Sequence, residues 1–434
     1  MNPREIPEDA IVEVANSINS KINKTPNLSS PVTVKDDSRT PQYFEIIPFE
    51  EIDNSDRNFF SIDGSYNFQE FYNGVCIGVY TAGYIAYNNG KQVKLNDLDD
   101  PVINGKTYFP SKLMITSDTD REDIFDELLT LEPVKNLFNF FGNPTDWSGW
   151  ASNLEETKKS VCKNSSTLFS FCQSVLEWSL VYEIANLPIT KSGDFILRDG
   201  NLRPLEIKQK YIHNLGKFLH DKGIVLLSVT KDSPIKLQLS STFRRIDNYL
   251  QGDLKYKFRF AETEERKKKI CCWLEVDDGD LDEAYKVGVV DRDKQFLRKG
   301  VSGGRGFGLY FVARLDYVEK LQNYDWLVVD LNIYDAIPTV NETMKAFDVN
   351  RQMRDFEKLN TIFKELTRLT QEHYILGYPY PLAEAHNFVT LKKAFKQEII
   401  SRVKMALYQN ARMEHVDIEN LFLDFPTAKE LCLN

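Results

Sequence analysis

The chain has 434 residues, enough for one large core or two ordinary domains, and its 42% hydrophobic content is that of a globular protein, which excludes intrinsic disorder for most of it. A formal net charge of −10 argues against a protein that coats nucleic acid by bulk electrostatics, but a nuclease stays open because a cluster of metal-binding carboxylates is itself acidic. Six cysteines without a C-x-x-C pair exclude a zinc ribbon or a thioredoxin-like site and read as the reduced thiols of a cytosolic protein.

In chain order, Ile11, Ala15, Ile18 and Ile22 fall at helical spacing behind Pro7 and Glu8, which predicts a short amphipathic arm. The polar, Pro/Ser/Thr-rich stretch 23–41 reads as a linker, so residues 1–57 form an arm and linker ahead of the main fold. From about residue 58 come strand-like "FFSID", then "GVCIGVYTAGYIAY", where glycines interrupt β-prone residues as in a hairpin. A helical region over 155–186 precedes the strand "DFILRD" (194–199), a helix near 204–221 and the strand "GIVLLSV" (223–229). The strand-like runs "KICCWLEV", "GLYFVARL" and "DWLVVDLNI" follow, then a helix near 350–371, a long helix over 381–408 and a tail, 409–434. This order predicts one α/β domain over 58–408 with a mixed sheet flanked by helices, the charged, glycine-punctuated segment 240–305 being an inserted elaboration. The amino terminus has no apolar run behind a basic patch, and no stretch reaches the about 18 to 20 apolar residues of a membrane span. The expectation is a soluble, cytoplasmic protein without membrane contact.

Two "DG" pairs draw attention to chemistry. Asp63 in "FFSIDGSYNF" and Asp199 in "DFILRDGNLRP" each follow an apolar strand and precede glycine, an arrangement that aims a carboxylate at a sheet edge where a ligand can approach. Each pair alone is also an ordinary turn signal. Between them, the apolar helix "SVLEWSLVYEIANL" carries Glu177 and Glu183, and a carboxylate on a buried face needs a partner or a metal. Glu177, set among Val175, Leu176, Trp178 and Leu180, is the favoured inward residue, with Glu183 as the alternative. In "LGYPYPLAEAHNFV", Pro379 and Pro381 hold Tyr378 on a stiff loop and open a helix that presents His386 from its second turn. The basic groups at Arg266–Lys269 and at Lys392, Lys393 and Lys396 read as solvated helix faces. "GVSGG" around Ser302 lacks the strand-then-helix context of a nucleophile elbow, and "GGRGFG" is neither a P-loop nor a dinucleotide fingerprint, so nucleotide hydrolysis has no support.

In the order "SIDGS", a helix glutamate, "FILRDGNL", "SVTKDS" and "GYPYPLAEAHNF", the chain resembles the NurA family of DNA-end-processing nucleases over roughly residues 58–400. The resemblance implies a ribonuclease H-like fold, a manganese- or magnesium-dependent nuclease with a two-metal site, a homodimer, and a HerA-type hexameric ATPase as partner. It places Asp63 and Asp199 on the family's catalytic aspartates, Glu177 or Glu183 on its helix glutamate, and Tyr378 and His386 on its carboxyl-terminal pair. Lys231 in "SVTKDS" falls on a lysine expected near the scissile phosphate. Asp63, Glu177, Asp199 and His386 are the implied metal ligands, while Tyr378 and Lys231 would contact DNA. The implied function is an exonuclease on DNA ends, with single-strand endonuclease activity open, in end resection and repair or in defence against phage. Two rival readings stand beside it. One is a catalytically weak subunit that scaffolds a translocase and grips DNA, which suits the acidic net charge and the extra arm. The other is a ribonuclease, since metal chemistry at phosphate reads neither sugar nor base.

Overall fold

The computed structural model describes residues 47–48, 55–71, 76–95, 105–108, 114–115, 118–202, 204, 206–230, 271–275, 308–315, 326–337, 355–370, 377–391 and 393–410. Its strands are β1 (Ile47–Pro48), β2 (Phe59–Glu70), β3 (Cys76–Asn88), β4 (Lys91–Gln92), β5 (Lys106–Tyr108), β6 (Met114–Ile115), β7 (Phe195–Asp199), β8 (Val225–Thr230), β9 (Cys272–Glu275), β10 (Gly308–Arg314) and β11 (Trp326–Asn332). Its helices are α1 (Asp118–Thr130), α2 (Glu132–Phe140), α3 (Leu154–Val161), α4 (Ser165–Ala185), α5 (Gln209–Asp221), α6 (Ile333–Ala336), α7 (Phe356–Arg368), α8 (Tyr380–Val389) and α9 (Lys393–Asn410). The chain divides into two compact units, Asn54–Ser228 with Pro379–Asn434, and Met1–Asp53 with Val229–Tyr378. The protein is of the mixed α/β class. Among the described residues no helix is long and apolar enough to cross a membrane, and the described cysteines, Cys76, Cys162, Cys172, Cys271 and Cys272, are free.

In the first unit β3 is the spine. It is buried from Cys76 to Ala86, as an apolar strand covered on both faces must be. β2 lies antiparallel along one edge of it, from Phe59 opposite Tyr87 to Glu70 opposite Cys76, and β4, β5 and β6 share the other. The predicted hairpin inside "GVCIGVYTAGYIAY" is thus a single strand. Its glycines admit close neighbours: a Cβ on Gly78 would enter the Phe169 ring, and one on Gly83 would stand 2.7 Å from the Lys106 carbonyl.

The other edge of β2 pairs in parallel with β7, over Phe59–Phe195, Phe60–Ile196, Ser61–Leu197 and Ile62–Arg198. Asp194, fully buried, sets this register. Its carboxylate accepts from the Asn58 amide N–H at 2.9 Å, from the Asn58 side chain at 3.0 Å and from the Lys191 N–H at 2.9 Å, clamping the start of one strand to the start of the other across 136 residues of sequence.

Helix α4 packs on β2 and β3, and α1, α2 and α3 pack on α4. Nearly every side of it is buried, which explains its apolar composition and its lack of amphipathic period. Asn164 caps it by accepting from the Thr167 N–H at 2.8 Å. That cap divides the helical region expected over 155–186 into α3 and α4. The helix expected over 381–408 likewise divides, α8 ending at Val389 and α9 beginning at Lys393. α1 and α2 have no counterpart among the predicted elements.

The second unit contains an antiparallel sheet in the order β1-β9-β10-β11. β10 and β11 are buried throughout. Trp273 stacks on Phe363 of α7 at 5.2 Å and meets Phe311 edge-on at 5.6 Å. The amino-terminal helix and linker, and nearly all of segment 240–305, lie outside the described residues.

Candidate metal centre

The parallel pairing of β2 and β7 brings two carboxylates together. Its last rung is Ile62 with Arg198, so Asp63 and Asp199 are the next position on each strand, side by side and on the same face. Asp63 is not at a strand end, as the sequence reading had it. β2 runs on to Glu70 because β3 continues to pair with it after β7 has stopped. Asp199 does end its strand, and Gly200 turns the chain with a φ of +98°.

The two "DG" pairs therefore need glycine for different reasons. Gly200 supplies a left-handed backbone, whereas Gly64 supplies room: a Cβ there would stand 2.6 Å from Gln173 Cγ and closer still to Glu177 Oε1, both on α4. What the pairs share is a hydrogen bond. Each glycine N–H donates to Oδ1 of its own aspartate at 2.8 Å, which fixes the rotamer and, in Asp63, turns Oδ2 to His386.

His386 comes from α8, which packs on β2 and β3. Pro381 in the first turn starts this helix at Tyr380, so His386, its seventh residue, closes the second turn as expected and enters the last. Its Nδ1 is 2.8 Å from Asp63 Oδ2, and its side chain is 61% exposed while that of Asp63 is 10% exposed. Asp63, Asp199 and His386 offer ligand atoms that all lie within 4.8 Å of one another. Two carboxylate oxygens and an imidazole nitrogen at that spacing suit a hard divalent cation, manganese accepting such a mixed set readily.

Glu177 approaches from behind. Successive strand residues face opposite sides, so Asp63 looks toward α8 and the open position at Gly64 looks toward α4. Glu177 fills that opening. Its Oε1 accepts from Gln173 Nε2 at 2.7 Å, and its Oε2 accepts from Arg198 Nη2. Burial, then the charge of Glu177, push the Asp63 carboxyl up to about 7; the hydrogen bonds with His386 and the Gly64 amide pull it down, and Asp199 adds a further upward push. An acid so raised is poised to exchange its proton for a metal ion.

Glu183 belongs elsewhere. Its carboxylate accepts from the hydroxyls of Tyr84 (2.9 Å) and Tyr108 (2.7 Å) and from Lys106 Nζ (2.7 Å), tying α4 to β3 and β5. Tyr378, the last residue of the other unit, is buried. Lys231 lies outside the described residues. Arg198 and Gln173 were not singled out from sequence. The available signal was the arginine itself, a charge inside the buried strand "FILRD".

The family model of the NurA domain matches residues 57–391, more than half of the chain. No curated protein matches. Among solved structures, the chain is similar to the NurA nuclease from Sulfolobus solfataricus, at 14% identity over 94% of this chain and 100% of that one, with a TM-score of 0.44. It is also similar to a NurA with manganese, at 12% identity over 94% and 99% of the two chains and a TM-score of 0.34. A third is a NurA bound to dAMP and manganese, at 12% identity over 94% and 96% and a TM-score of 0.31.

Proposed function

The chain belongs to the NurA family, and from that membership we propose that it is a metal-dependent nuclease acting on DNA ends. The observation that carries the reading is the convergence of Asp63, Asp199 and His386, from two parallel strands and a distant helix, on one patch whose ligand atoms lie within 4.8 Å of one another. The donor set fits manganese or magnesium, with Asp63, Asp199 and His386 as holders; Glu177, by resemblance a further carboxylate for a two-cation site, stands behind Asp63 with both oxygens already hydrogen-bonded. Once bound, divalent cations supply Lewis-acid activation of water and neutralise the carboxylates so that a phosphodiester can enter.

The chain's own groups prepare this chemistry. The Gly64 and Gly200 N–H groups hold the two carboxylates in fixed rotamers. His386, exposed and oriented by Asp63 through Nδ1, leaves Nε2 either to hold a cation or, in its place, to take up or return a proton at the reacting phosphate. Tyr378 is assigned to hydrogen bonding with the phosphate or stacking on a terminal base, and Lys231 to offsetting charge on the phosphate, both by resemblance. The same reading includes a ribonuclease H-like arrangement of the sheet, a homodimer, and a HerA-type ATPase that feeds DNA to the site in end repair or defence.

The test is cleavage of end-labelled linear DNA and of a covalently closed circle, with manganese, magnesium or EDTA, by wild type and Asp199→Ala. Metal-dependent loss of the linear substrate alone, abolished by the substitution, is the expected result. Undiminished cleavage by Asp199→Ala removes the site assignment, and DNA left intact even with a HerA-type ATPase and ATP favours a scaffold.

A further inference from the structure

We infer that Arg198 is a positioning residue of the metal centre, holding Glu177 in the opening at Gly64 where its carboxylate meets the back of the Asp63 site. The inference rests on the metal-dependent reading above and concerns a residue that touches neither DNA nor cation in it.

Three observations lead to it. Arg198 and Glu177 are both almost wholly buried, their side chains 6% and 9% exposed, and they form a direct ion pair. A buried ion pair is weak support for stability, because the cost of stripping water from both charges can exceed their attraction, so its presence at this place calls for another role. The guanidinium is itself held from two more directions: Nη1 donates to the Asn201 carbonyl at 3.1 Å, in the turn that follows Asp199, and the group lies over the Trp178 ring at 4.4 Å. With Gln173 on its other oxygen, Glu177 has no slack.

Placement on the strand makes the contact possible. Arg198 precedes Asp199 on β7, so the two side chains leave on opposite faces, the acid toward the cluster and the base toward α4. One dipeptide thereby supplies a ligand on the front of the sheet and, behind it, the clamp for a second carboxylate. Outer partners of this kind orient ligands, and their loss typically weakens metal affinity by about 10- to 100-fold.

The experiment is manganese binding by titration calorimetry to wild type, Arg198→Lys, Glu177→Gln and the double variant Arg198→Gln/Glu177→Gln, with circular dichroism as a check of folding. Lysine keeps the charge but loses the planar fork. The expected result for Arg198→Lys is a wild-type spectrum, manganese affinity weaker by about 10- to 100-fold, and cleavage that recovers as manganese is raised. Wild-type affinity in Arg198→Lys overturns the inference. The double variant carries no unpaired buried charge and serves if Arg198→Lys does not fold. It should bind manganese as Glu177→Gln does, since a clamp has no effect once its client is gone, and a further tenfold loss in the double variant would show that Arg198 does not act through Glu177. Failure of the wild type to bind manganese at all removes the metal reading itself, an outcome distinct from any of these.

Discussion

Replacing Asp63 with asparagine should stabilise the metal-free protein in alkaline solution and leave it unchanged in acid. Asp63 is pushed from an ordinary 3.8 up to about 7, burial being the largest cause and the Glu177 charge the next. Between those values the folded chain keeps a proton that the unfolded chain releases, so stability falls as pH rises from about 4 to about 7 and is level above that. Three pH units correspond to an upper limit of about 4 kcal/mol, and sharing the charge with Glu177 makes about 2 to 4 kcal/mol the working range. Asparagine keeps an oxygen for the Gly64 N–H and removes the charge. At roughly 2 to 4 °C per kcal/mol for a unit of this size, the variant should melt about 5 to 15 °C above wild type at pH 8 in EDTA, and level with it at pH 4. Manganese should reverse the ranking at pH 8, because only the wild type retains the ligand charge. Thermal melts at both pH values, with EDTA or manganese, make the test. A variant less stable than wild type at pH 8 in EDTA, or displaced equally at both pH values, would refute the account of Asp63.

Gly64→Ala should push Glu177 out of its opening, since a Cβ cannot share that space with Glu177 Oε1 and Gln173 Cγ; cleavage of end-labelled DNA should fall at least tenfold, by an estimate of about 1.4 kcal/mol per decade, with the β2–β3 pairing intact by circular dichroism. Glu183→Gln should lower the melting temperature, by about 1 to 3 kcal/mol of stability for a carboxylate bonded to Tyr84, Tyr108 and Lys106; its manganese affinity should equal that of the wild type, and a loss would return Glu183 to the site. Gly78→Ala should cost about 1 to 3 kcal/mol by driving a methyl into the Phe169 ring, measured by urea unfolding, and a neutral effect would mean that α4 can move off the sheet.

Much of the architecture was legible because apolar runs of strand length kept their meaning: "FILRD", "VLLSVT", "GLYFVAR" and "WLVVDLN" all became strands. The misreadings have physical causes. Glycine in β3 reads as a break, but here it marks where Phe169 and the Lys106 carbonyl press on the strand, and one sequence cannot distinguish a missing side chain that permits a turn from one that permits contact. α4 offers no polar face, so periodicity could not orient Glu177 against Glu183; the neighbours decide, Arg198 and Gln173 for one, two phenols and Lys106 for the other. The equal register of Asp63 and Asp199 depends on Asp194 and Asn58, a pair that carries no motif.

The contact between His386 and Asp63 joins residues 323 positions apart. During synthesis at about 5 to 20 residues per second, a chain emerging from the ribosome exposes both aspartates for many seconds before the imidazole exists. Messages broken upstream of codon 386, and products clipped by proteases ahead of α8, yield polypeptides that lack the third donor altogether. Only a chain made through α8 can therefore assemble the three-donor cluster, and shorter products are built without it.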